Sequence, residues 1–86
     1  MANPTEKKPS IGRIVMYVPV ENSKESNNGA TIVPAIVVRT WEEGTNYVNN
    51  ECNIRVFNDG PDSTWLTSVP HSSDKEAGTW HWPEIN

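Results

Sequence analysis

Residues 33–41 read VPAIVVRTW, and this stretch decides the fold class. Its run of β-branched and aromatic side chains suits a pleated, half-buried surface. Alternation places Val37, Arg39 and Trp41 on one face and Ile36, Val38 and Thr40 on the other. Pro34 near its start predicts an edge strand or a bulge, because proline donates no ladder hydrogen bond.

Working outward, the same alternation recurs in short pieces. Residues 11–18 put Ile14, Met16 and Val18 on one face and Arg13, Val15 and Tyr17 on the other. The run 52–57 alternates Cys52, Ile54 and Val56 against Asn53, Arg55 and Phe57. Asn58-Asp59-Gly60-Pro61 is a strong turn signal before a fourth strand, 64–69, with Trp65, Thr67 and Val69 on one side. Gly78 introduces a short fifth strand, Thr79 to Trp82, which Pro83 stops. Gly44 marks a turn inside 42–50, and residues 21–31 form a polar loop expected to be mobile. Residues 1–10, with Pro4 and Pro9, read as a flexible arm ahead of one domain, 11–86. No amphipathic helix is evident; residues 72–77 allow one helical turn at most. Five short strands predict an all-β fold, a small open barrel of the SH3-like or OB-like kind.

Composition narrows the function classes. An 86-residue chain with 35% hydrophobic residues has a thin core, which four tryptophans reinforce. Such domains gain from association, so a homo-oligomer is expected. The net charge of −4 is uneven: residues 1–41 sum to +2 and residues 42–86 to −6. An acidic chain without a basic run is a poor duplex binder, because that affinity comes from phosphate neutralisation. One cysteine, Cys52, gives no disulfide framework and no C-x-x-C spacing. Two histidines, His71 and His81, without paired ligands leave no metal site and no cofactor. No stretch is apolar enough to span a bilayer, and the start of the chain lacks a secretory pattern, so a cytoplasmic setting is expected.

Catalysis has one weak signal. Ser68, His71, Ser72, Ser73 and Asp74 invite a triad reading, but serines and an aspartate in a loop more often make a turn. The chain is therefore read as a binding protein rather than an enzyme. Trp80 and Trp82 share a face, and two roles stay open for them: closing the barrel core, or stacking on a planar ligand. His81 and Glu84 are candidate rim contacts. Arg13 and Arg39 lie among apolar neighbours and need an acceptor, either an internal carboxylate or a ligand phosphate. Tyr17, Trp41 and Ser68 complete the candidate ligand-binding set.

The segments KPSIGRIVMYVP (8–19), PAIVVRTW (34–41) and TSVPHSSDKEAGTWHWPE (67–84) resemble a widespread family of small bacteriophage accessory proteins. These run from K-P-S-x-G-R-I-V-x-Y to G-T-W-H-W-P-E, here Gly78 to Glu84. Many relatives carry His where this chain has Met16. The resemblance implies a phage origin and action in the host-cell cytoplasm. Among such proteins it implies a module that sequesters a nucleotide-derived signal of host anti-phage immunity. The alternative it leaves open is a virion component or a domain that binds a host protein.

Overall fold

The structure, a computed structural model, describes residues 8–41 and 50–84. Most of the expected arm and the expected Gly44 turn lie outside the described residues. Five strands follow one another: β1 (Ile14–Tyr17), β2 (Val33–Arg39), β3 (Cys52–Phe57), β4 (Ser63–Val69) and β5 (Trp80–His81). They form one antiparallel sheet in the order β4-β3-β2-β1-β5. The expected all-β class is observed. Of the two barrel forms, the meander with β5 returning to the free side of β1 differs from the Greek key of the OB kind.

The sheet curls until its two edges meet at one end. Past β4, the Trp80 N–H donates to the Pro70 carbonyl and the Ser72 N–H donates to the Trp80 carbonyl, each at 3.0 Å. This gives a parallel bridge between His71 and Trp80. The inward side chains take one face of each alternation: Val15 and Tyr17, on the face of Arg13 and not the wholly apolar face of Ile14 and Met16, then Val33, Ala35 and Val37, and Cys52, Ile54 and Val56. Burying each Val or Ile is worth about 1.5–3 kcal/mol. Trp80 fills the centre with no exposed surface. Its Nε1–H donates to the Asn50 carbonyl at 3.2 Å, so the one polar atom of that ring is satisfied.

Several details differ from the sequence reading. Strand β1 starts later than Ile11, because Ile11 and Gly12 form a turn: Gly12 has φ +92° and the Arg13 N–H donates to the Ser10 carbonyl at 3.1 Å. Pro34 sits in a central strand, in register with Met16, without a bulge. The ladder to β3 begins only at Ala35, so the missing N–H costs no pairing there. The β2 irregularity falls between Val37 and Arg39 instead.

Strand β4 carries an extra residue. Cys52 pairs with Val69 but Ile54 pairs with Leu66, and Ser68 adopts φ +55°. The slip inverts the alternation, so Leu66 packs on the core alongside buried Val69. Trp65, expected on the face of Val69, is half exposed.

Residues 21–31, expected as a polar loop, carry hydrogen-bonded turns. Ser23 and Ser26 hydroxyls donate to the carbonyls of Val20 and Ser23, organising 3-10 turns over Lys24–Gly29. Asn27 and Asn28 then donate to the Asp59 carbonyl at 2.9 and 3.1 Å, tying this segment to the β3–β4 connection.

Candidate functional site

The residues around β5 form the richest chemical grouping in the fold. Register with β1 pairs Tyr17 with Trp80 and Met16 with His81. Trp80 therefore points into the core, and Trp82, two residues on, covers the end of it. The two indoles meet edge to face, centroids 5.1 Å apart. The Arg13 guanidinium carbon stands 5.4 Å from the Trp82 ring centroid, a cation–π contact. On the other side, His71 packs edge-on against Trp80 at 4.7 Å.

The connection between His71 and Trp80 is folded back by local turns. The Ser72 hydroxyl accepts the Asp74 N–H at 3.2 Å, and Lys75 takes φ +60°. Gly78, at φ +83°, donates its N–H to the Val18 carbonyl at 2.7 Å. This path brings the Lys75 ammonium to the Glu84 carboxylate, 2.6 Å away. Between the folded-back segment and the chain after β5 lies a cleft of about 230 Å³, lined by His71, Ser73, Lys75, His81, Trp82 and Glu84. A second hollow of about 260 Å³ shares Lys75, His81 and Glu84 and adds Met16, Ile32 and Pro83.

Burial lowers the pKa of His71. Burial also lowers that of His81, helped by the charge of Lys75 and by His71, with Glu84 opposing in part. Both imidazoles are therefore neutral at pH 7, each with one N–H donor and one acceptor nitrogen. The hydrogen bond and charge of Lys75 hold Glu84 below the usual carboxylate range. His81 Nδ1 is buried and has no hydrogen-bond partner. At neutral pH the cleft thus offers an indole, two uncharged imidazoles, a hydroxyl and an internally compensated ion pair.

No protein-family model, curated protein or solved structure matches the chain.

The fold separates the nine candidate residues. His81, Trp82 and Glu84 line the cleft, and Arg13 stands against the Trp82 ring. Trp80 is wholly enclosed, so its ring surface serves the core. Tyr17 is buried too, and its hydroxyl pKa is raised by burial and by the nearby charge of Glu25. Ser68 lies in the β4 bulge, its N–H taken by Asn53 Oδ1. Arg39 is exposed over a different indole, Trp41, at 5.7 Å. Sequence reasoning missed Lys75, and it considered Ser73 only for a triad and His71 only for a triad or a metal site. Among the described residues no hydrogen bond joins His71 to a serine or to Asp74. Among them, too, no group of three or more potential metal ligands occurs.

A larger hollow, about 550 Å³, lies elsewhere, beside Val18, Pro19, Glu21, Asn22, Ser26 and neighbours. Its only charged lining residue is acidic and it presents no aromatic ring, so it suits neither an anion nor a planar ligand. The cleft beside β5 is smaller but chemically better equipped.

Proposed function

We propose that the chain is a non-enzymatic binding module that captures a small ligand with a planar, base-like ring in the cleft beside β5. The observation that carries this reading is His81 Nδ1, buried and unpaired in a cleft walled by Trp82 and His71. An unsatisfied buried polar atom costs about 1–3 kcal/mol, and a ligand that supplies its partner recovers that cost. The Trp82 indole offers a stacking surface, worth about 1–3 kcal/mol per base. Arg13, already beside that indole, supplies a guanidinium for a phosphate.

The phage resemblance gives this module its biological form: sequestration of a nucleotide-derived signal of host anti-phage immunity in the host cytoplasm. A cleft of about 230 Å³ is below the roughly 300–1,000 Å³ of ordinary ligand pockets, so it suits one ring of such a ligand rather than the whole. Calorimetry and thermal shift against cyclic dinucleotides, cyclic trinucleotides and cyclic ADP-ribose derivatives test the reading. One class should raise the melting temperature, and Trp82→Ala should abolish the rise in a folded protein. Silence across the whole panel defeats it.

A second reading, a virion component or an adaptor for a host protein, draws on the half-exposed Trp65 and Phe57. Mass spectrometry of purified particles tests the virion form, which requires stoichiometric presence.

A further inference from the structure

The outward face of the sheet breaks the usual rule that an antiparallel sheet is polar on its solvent side. Register aligns Ile14 with Ile36, Ile36 with Arg55, and Arg55 with Trp65, one continuous row across β1 to β4. Beside it, Met16 pairs with Pro34 and Phe57 pairs with Ser63. Arg55 is the only charged residue among these eight. Ile14 is 56% exposed, Trp65 50% and Phe57 44%. With Val38, these side chains expose on the order of 400 Å² of mainly apolar surface, the size of the largest patch on a typical monomer, which is often functional. A chain with only 35% hydrophobic residues has placed several of its largest outside the core.

We infer that this face is the interface through which two copies of the chain associate. The extent of the face and its one arginine beside an exposed indole select a second copy as the occupant. Arg55 and Trp65 are direct cross-strand partners. A two-fold axis passing between them sets each Arg55 over the Trp65 of the other copy and keeps the two guanidinium groups apart. Among the described residues, arginine already stands over indole at Arg13–Trp82 and Arg39–Trp41. No carboxylate lies in the two rows, so two chains of net charge −4 meet where neither carries acid. With Pro34, Arg55, Ser63 and the half-buried Met16 and Ile36, the face reaches on the order of 700 Å², close to what each partner of a specific interface contributes. The surface lies on β1 to β4 and is independent of the ligand reading at β5.

Sedimentation equilibrium from low micromolar to near-millimolar concentration tests the inference on the full chain. The mass should rise from one 9.6 kDa chain to two as concentration increases. Trp65→Ser and Arg55→Glu should each weaken association about tenfold or more, as loss of a central aromatic or arginine anchor does. Lys24→Glu, on the 3-10 segment, should leave it unchanged. A cooperative thermal melt verifies that each variant is folded. A monomer at every concentration overturns the inference, and so does a dimer that both face variants leave intact.

Discussion

The Asn53 side-chain oxygen accepts the Ser68 backbone N–H at 2.8 Å and the Thr67 hydroxyl at 3.0 Å. One buried amide on β3 thus holds the extra residue of β4 in place, and that residue decides which β4 side chains enter the core. Asn53→Ala should cost about 1–3 kcal/mol, because it strands the Ser68 N–H. Asn53→Asp, which keeps the acceptor, should cost less. Urea denaturation of the three proteins checks the order.

Ser68 stands at φ +55°, where an L side chain is strained. Ser68→Gly should hold or raise stability, by up to about 1 kcal/mol, and Ser68→Val should lower it by about 1–2 kcal/mol. The same denaturation series reads both. Equal losses for glycine and valine would show that the hydroxyl, and not the backbone, matters at this position.

Burial pushes the Cys52 thiol pKa up to about 12. The native protein should therefore resist a thiol-reactive dye at pH 8, and the unfolded protein should react at once. The rate of native labelling should track the opening equilibrium as urea is added. Fast labelling without denaturant would contradict the buried position of this side chain.

The lowered pKa values of His71 and His81 set a pH dependence of stability. The unfolded chain takes up protons near the ordinary imidazole value of about 6.5, and the folded chain only at lower pH. Their contribution is present above that value and is lost as pH falls through it toward the folded pKa values. Glu84, also lowered, acts in the same direction in the more acidic carboxylate range. Thermal melts should show the melting temperature falling between pH 7.5 and pH 5. His71→Gln should flatten that fall. A melting temperature that rises on acidification would contradict the assignment.

If the cleft beside β5 is the binding site, the candidate residues should divide in function as they divide in space. Arg13→Ala and His81→Gln should weaken a ligand found in the nucleotide panel about tenfold or more, as loss of a charged or buried hydrogen-bond partner does. Arg39→Ala and Ser68→Ala should leave its affinity unchanged, because these residues stand over Trp41 and in the β4 bulge. Isothermal titration of the four variants separates the groups.

Much of this architecture was legible in alternation. Val15 and Tyr17, Val33, Ala35 and Val37, and Cys52, Ile54 and Val56 share faces because strand periodicity is a local property, whereas the choice of inward face rests on register. Leu66 escaped notice for the opposite reason. Its direction depends on a one-residue slip, and that slip is held by Asn53 on another strand. The placement of residues 21–31 against the β3–β4 connection was equally hidden, since it rests on contacts from Asn27 and Asn28 to Asp59, more than thirty residues away.

The sequence alone determined an all-β chain of five short strands, with one cysteine, an acidic balance and an aromatic C-terminal segment, because hydrophobic period and composition are readable residue by residue. Tertiary structure decided which of those aromatic and charged groups meet. It enclosed Trp80, left Trp82 to Arg13, and joined Lys75 to Glu84. The physical reason is that such meetings are fixed by register, bulges and turns. Those depend on pairing between segments distant along the chain, and no local pattern records them.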